Sequence, residues 1–352
     1  LWFHQKYNMS SPPLPDNTPR PPRRKRYSGK NPRRFEDKYK EHQQDPETLA
    51  KVTASGKTPA GTHIPILLPE ILDILSIRPG ETAADLTLGY GGHASSLLTA
   101  VQPGGRLIAL DVDPIELPRT ENRLRALGYP DETLIVQRSN FAGLPKVLAT
   151  LGLSGVDALL ADLGVSSMQI DNPTRGFSFK TEGPLDMRLN PERGQPASAL
   201  LASISPQKLA ALLHENADEP RAFLLADALA GKTFPTTRSL TESIRLLTPD
   251  PDEAEATFRH VFQALRIAVN EEFTALDTLL RHLPQCINPG GRIAILTFHS
   301  GEDRRVKKAL AAGLADEIWS SISESVIRPT PTEQHHNPRS SSAKLRWAIR
   351  AW

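Results

Sequence analysis

Asp85-Leu-Thr-Leu-Gly-Tyr-Gly-Gly-His93 is the stretch on which the fold assignment turns. It closes a short strand candidate, Thr82–Leu86, and leads into a helix expected from about Ala94 to Val101. Glycines at such a junction let the backbone turn tightly and bring helix N-terminal amides close to a ligand. Outward from this loop, Arg106–Leu110 reads as a buried strand ending at Asp111. An acid in that position can accept hydrogen bonds from both ribose hydroxyls of a nucleotide-like cofactor. A helix is expected over 115–127, a third strand over Leu134–Arg138, and a fourth over Ala158–Ala161, ending at Asp162. Short apolar strands alternating with helices predict a parallel α/β sheet.

The loop does not spell Gly-x-Gly-x-x-Gly, and an acid, Asp85, ends the strand before it. A dinucleotide pyrophosphate would be repelled there, whereas the cationic aminoacyl end of S-adenosylmethionine would not. Electrostatics therefore favours a methyl donor over NAD. Asp162 opens into the same crevice, where it can accept from an adenine amino group or from the donor's ammonium.

The alternation stops at about residue 170. Helical patterns follow at Ala197–Leu201, Pro206–His214, Arg221–Leu229 and Leu240–Leu247, with no convincing strand. It resumes with one long helix expected over Phe258–Leu283, a turn at Pro289-Gly-Gly291 and the strand Arg292–Phe298. The economical organisation is a doubly wound cofactor domain, 61–169 and 258–352, with a helical insertion for substrate recognition, 170–257, after the fourth strand. Residues 1–60 form a separate arm with 13 Lys+Arg against 6 Asp+Glu and nine of the 31 prolines. That composition predicts disorder, and Arg20–Arg26 is either a phosphate contact or part of a solubilising tail. The rest of the chain holds 29 basic against 34 acidic residues.

No apolar run approaches the ~20 residues of a membrane span, and the start lacks the ~7–15 apolar residues of a secretory signal. Met9 is a candidate initiator. The lone Cys286 excludes an internal disulfide, makes a cysteine-based zinc site unexpected, and fits a reducing, cytoplasmic compartment. No metal is expected.

Taken together, the motifs resemble the ribosomal RNA small-subunit methyltransferase H family. The resemblance runs from about His63 to the C-terminus. It is carried by His63–Glu70, Asp85–His93, Asp111-Val-Asp-Pro114, Asp162–Ser167, Arg175–Phe179, Gly183–Arg188, Phe262–Asn270, Phe298-His-Ser300 with Glu302-Asp-Arg304, and Asn337-Pro-Arg339 with Ser342–Arg346. Tyr90 departs from the family by interrupting the glycines, and Gly301 replaces a leucine. The resemblance implies a Rossmann-like class I S-adenosylmethionine-dependent fold and N4-methylation of a cytosine in the decoding centre of 16S rRNA, within the small ribosomal subunit. It also implies cofactor contacts at Gly91, Gly92, His93, Asp111, Phe141, Asp162 and Gln169. A homodimer is one option for the assembly.

Amino methyltransferases often carry a Pro-Pro-aromatic motif after the fourth strand, and Asp162–Ser167 stands in its place here. The acceptor for an N4 hydrogen is therefore sought among Asp162, Asp186 and His299, with Asn270 positioning the base. Bracing of a loop by His299 and pairing of Asp186 with Arg188 are the alternatives. Arg175, Lys180, Arg188 and Arg193, interleaved with Phe177 and Phe179, read as an RNA surface, since cations hold phosphates and aromatics stack on bases. Arg339, Lys344 and Arg346 form a second basic group, partly structural because Leu345–Ile349 reads as a strand. Competing readings are a methyltransferase for another RNA, a protein or a small molecule, an NAD-dependent dehydrogenase, and a non-catalytic ribosome assembly factor.

Overall fold

The structure, a computed structural model, describes residues 65–352, so the expected arm and Met9 lie outside the described residues. Strands β1 (Thr82–Asp85), β2 (Arg106–Asp111), β3 (Leu134–Arg138), β4 (Val156–Asp162), β5 (Ile287–Thr297), β6 (Trp319–Ile322) and β7 (Lys344–Arg350) form one sheet in the order β3-β2-β1-β4-β5-β7-β6. β1 to β5 run parallel, and β7 is antiparallel to both β5 and β6. The strand order reverses at β1 and β4, the crevice where open α/β sheets bind ligands.

Successive strand residues point to opposite faces, and both faces are covered, so the strands are apolar throughout. On one face Ala83, Leu107, Ala109 and Leu160 meet α1 (Leu68–Leu75), α2 (Gly92–Ala100) and α3 (Glu116–Arg125). On the other, Ala84, Ile108, Leu110 and Leu159 meet α4 (Leu144–Thr150). α5 (Ser167–Asp171) follows β4, and α6 (Ala197–Ser203), α7 (Pro206–Ala217), α8 (Ala222–Leu229) and α9 (Thr237–Leu247) make the expected insertion. α10 (Pro251–Val269) leads back, and α11 (Glu272–Cys286) and α12 (Ser300–Ala315) complete the second face. The short α13 (Pro331–His336) precedes β7.

Four expectations change. The helix expected over Phe258–Leu283 is two, α10 and α11, because Asn270 Nδ2 turns back onto Arg266 O (2.9 Å) and Glu271 takes a left-handed φ of 51°. The insertion extends past residue 257, since Phe258, Val261, Phe262 and Leu265 of α10 pack into the same apolar cluster as Leu209, Leu213, Leu225 and Leu240. β5 spans the turn expected at 289–291, but its register against β4 shifts there, from Val156 opposite Ile287 to Ala158 opposite Arg292, with Gly290 at φ +73°. The opening helix, which apolar spacing predicts over Ile64–Leu75, starts at Leu68, because Leu67 is left-handed (φ 54°) and Pro69 fits only a first turn. Strand β6 and helix α4 carry signals too short for the pattern reading.

Truncating Phe258 to Ala should destabilise the protein by about 3–5 kcal/mol, the cost of an aromatic cavity in a packed core. Urea unfolding measures the loss, and limited proteolysis should cut first within residues 197–269.

Candidate active site

The glycine loop is held open by its neighbours. Gly89 N donates to Asp111 Oδ2 (2.8 Å), Thr120 Oγ1 donates to Gly89 O (2.6 Å), and Gly91 caps α2 at φ 80°. A Cβ on Gly91 would lie 2.8 Å from Thr120 Cγ2, and one on Gly92 would lie 2.7 Å from the Pro65 ring, so neither position admits a side chain. Tyr90 lies under the Arg123 guanidinium, 3.6 Å from its ring centre.

Behind this loop a cavity of about 450 Å³ opens at the carboxyl ends of the strands, within the ~300–1,000 Å³ typical of small-molecule sites. All seven residues expected to contact a cofactor, Gly91, Gly92, His93, Asp111, Phe141, Asp162 and Gln169, line it. Asp111 accepts the Gly89 amide on one oxygen and the Asp113 amide (2.9 Å) on the other. One lone pair on each oxygen stays available for a ribose diol, and burial raises its carboxyl above the ordinary value. Phe141 opens a short 3-10 turn capped by Asn140 and presents its ring beside β3. Asp85 is 1 % exposed and lies inside the sheet edge rather than on the wall, with its carboxylate on the Thr87 amide (3.1 Å).

Asp162 is the site's least satisfied group. Its Oδ1 is buried with no hydrogen-bond partner among the described residues, and its Oδ2 is 3.6 Å from His93 Nδ1. Burial, assisted by the charge of Glu302, pushes its carboxyl up to about 7. His93 must donate through Nε2 to the Ile66 carbonyl (3.0 Å), so in its neutral form Nδ1 faces Asp162 as a lone pair. Burial lowers the imidazole's pKa and favours that neutral form.

The other expected catalytic residues are placed differently. Asp186 is gripped by Arg188 through Nε (2.8 Å) and Nη2 (2.7 Å) and is off the cavity wall. Burial alone would raise its carboxyl, but Arg188 holds it below the ordinary range, the wrong direction for a base. His299 caps α12 and lies 3.2 Å from Glu302 Oε1, which is the bracing alternative. Asn270 lines the cavity, yet both of its amide hydrogens are committed: Nδ2 donates to Met187 O (2.8 Å) and Arg266 O, while Oδ1 accepts from Leu189 N (2.7 Å). It pins the 187–189 segment rather than a base.

The expected RNA surface also changes. Arg175 is 5 % exposed and donates to the fully buried Asp113 (2.8 Å) and to the Arg188 and Leu189 carbonyls, so it is an internal tie. Phe177 is buried, and the partly buried Phe179 packs on Phe258 and Phe262 with ring centres 5.7 Å apart, so both rings turn toward the insertion's core. Lys180 and Arg193 are exposed, and Arg188 is held by Asp186. Of the C-terminal basic group, Arg339 pairs with Asp171, while Lys344 and Arg346 share Asp303 at 3.5 and 2.7 Å.

Four residues of this region had no expected role. Asp113 accepts from Ile115 N, Glu116 N, Gln169 Nε2 (2.8 Å) and Arg175 Nη1, joining the β2 end to α5 and to the insertion. Arg266 grips Glu272 through Nε and Nη2, both at 2.9 Å, on the cavity wall. Glu302 accepts the Phe298 amide (2.9 Å); burial would raise its carboxyl, but His299, Arg266 and that amide hold it low. The motif blocks already contained Asp113, Arg266 and Glu302. Glu272 lay within the helix expected over Phe258–Leu283, on which Arg266, six residues away, would have faced elsewhere. Ligand atoms of Glu272, His299 and Glu302 come within 4.8 Å of one another, but the Arg266 fork already neutralises Glu272.

Residues 60–351 match the MraW methylase family. The chain belongs to this family. It is 46% identical to ribosomal RNA small subunit methyltransferase H 1 of Lachnoclostridium phytofermentans, over 97% of both chains. It is 47% identical to the protein of the same name from Agathobacter rectalis, over 94% of this chain and 97% of the relative. The fold is the Rossmann-like class I methyltransferase fold, and the cofactor is S-adenosylmethionine. The cavity suits it: the Asp111 lone pairs match a ribose diol and Phe141 offers an aromatic face. Among the described residues, no helix is long and apolar enough to cross a membrane.

A carboxyl protonated more readily in the folded than in the unfolded chain adds stability below its unfolded pKa and loses it as pH rises through the folded value. For Asp162 that window runs from 3.8 to about 7, and for Asp85 from 3.8 to about 6. Asp162→Asn should therefore melt ~1–2 °C above wild type at slightly alkaline pH without cofactor, the shift for about 1 kcal/mol in a chain of this size. Thermal scans across the window should show a shallower pH slope in the variant. Arg175→Met, which leaves Asp113 buried without its cation, should cost about 3–5 kcal/mol in urea.

Proposed function

We propose that this protein transfers the methyl group of S-adenosylmethionine to the exocyclic N4 of a cytosine in the decoding centre of 16S rRNA, acting on the small ribosomal subunit in the cytoplasm. The observation that carries the reading is the buried, unpartnered Asp162 Oδ1 on the wall of the cofactor cavity. The relatives named as ribosomal RNA small subunit methyltransferases support the RNA substrate.

Cytosine N4 is a poor nucleophile because its lone pair is delocalised into the ring. The bound cofactor supplies an activated sulfonium methyl, so alignment carries much of the rate. The protein adds an acceptor for an N4 hydrogen, which favours a pyramidal nitrogen, and a place for the proton released when the N–C bond forms. Asp162 does both in this reading. Held near neutrality by burial, its carboxylate takes the proton, and the lone pair of His93 Nδ1 at 3.6 Å offers an onward route. The target base must leave its stack to enter the cavity.

Single-turnover methylation of small-subunit rRNA should rise with pH through about 7 as Asp162 ionises. Asp162→Asn should lower the rate by roughly 10²–10⁴-fold, the range for a lost general base, with cofactor affinity changed far less. Mass mapping of nucleosides from treated rRNA reads the product: methylation at a base other than cytosine, or at cytosine C5, removes the N4 assignment.

A further inference from the structure

We infer that the Arg266–Glu272 pair reads the target base, with Arg266 Nη1 donating to the O2 and N3 edge of cytosine while Glu272 fixes the guanidinium. The inference rests on the N4 reading above. The cofactor-type residues, Gly91, Asp111 and Phe141, occupy the β1, β2 and β3 side of the cavity. The opposite side, at the tips of β4 and β5, is walled by Leu189, Arg266, Glu272 and Phe298. None of these suits a ribose or a sulfonium: two are apolar surfaces for the faces of a flat ring, and two form a charged pair.

Only one edge of that pair is committed. Arg266 uses Nε and Nη2 on Glu272, and Nη1 makes no hydrogen bond among the described residues. Its side chain is 17% exposed and that of Glu272 is 11%, so the pair sits in a restricted opening. Arg266 and Asp162 line the same cavity. A base whose N4 meets Asp162 turns its N3 and O2 acceptors away from that carboxylate, toward a donor. A guanidinium held as a rigid fork supplies one, and it rejects uracil, whose N3 carries a hydrogen and would oppose donor with donor.

The break between α10 and α11 makes this possible. On one continuous helix, residues six apart do not meet, whereas the left-handed Glu271 turns Glu272 back onto Arg266.

The test is equilibrium binding of cytidine 5′-monophosphate and uridine 5′-monophosphate to the full-length protein saturated with S-adenosylhomocysteine, for wild type, Arg266→Lys and Glu272→Gln. Wild type should prefer the cytidine nucleotide by roughly tenfold or more, the scale of one well-placed base contact. Arg266→Lys keeps the charge but not the fork, and should reduce the preference to within about threefold while binding S-adenosylhomocysteine as wild type does. Glu272→Gln should fall between. Equal binding of the two nucleotides by wild type, no binding of either, or an undiminished preference in Arg266→Lys overturns the inference. Methylation of small-subunit rRNA measured in parallel separates the two claims: N4 transfer without base preference removes only the role of Arg266, and preference without N4 transfer removes only the reaction assignment.

Discussion

A carboxylate with no solvent at all, Asp113, ties the molecule's two layers together. Four donors converge on it, two from the backbone at the start of α3, one from Gln169 on α5 and one from Arg175 at the head of the insertion. Burying such a group is costly unless every lone pair is met, and here the need is met by elements distant in sequence. Arg175 carries the link onward to the Arg188 and Leu189 carbonyls, and Asn270 grips the same segment from α10. The wall at Leu189 is thus set by the strand end that also carries Asp111. Cofactor edge and helical layer share one joint.

Similar residues at neighbouring strand ends acquire different chemistry through what surrounds them. Asp111 receives backbone amides on both oxygens, which suits it to a fixed, hydrogen-bonding role. Asp162 has one orphaned oxygen and a neutral histidine beside the other. Asp186 is equally acidic in sequence, yet Arg188 neutralises it two residues away. A general base needs a proton affinity near the working pH, and only incomplete satisfaction in a dry site provides that.

Much of this was legible along the chain. Apolar strands ending in Asp85, Asp111 and Asp162, with glycines after the first, predict a parallel sheet and a cofactor crevice because strand period and turn chemistry are local. The insertion helices were legible for the same reason. The basic, aromatic segment from Arg175 to Arg193 misled: composition records charge and ring, not direction, and Arg175, Phe177 and Phe179 all turn inward. Asn270 shows the same limit, since an amide is equally apt to bind a ligand or to lock a backbone.

The sequence alone determined the strand-and-helix alternation, the position of the glycine turn and which acids end which strands, all consequences of interactions between near neighbours. Tertiary structure decided which of those acids stays unsatisfied, which cations are buried, and that a helix expected to be continuous breaks at Asn270 to bring Glu272 onto Arg266. Those outcomes depend on desolvation and on partners far apart in the chain, such as Arg175 and Asp113, 62 residues apart, and neither has a signature in local spacing.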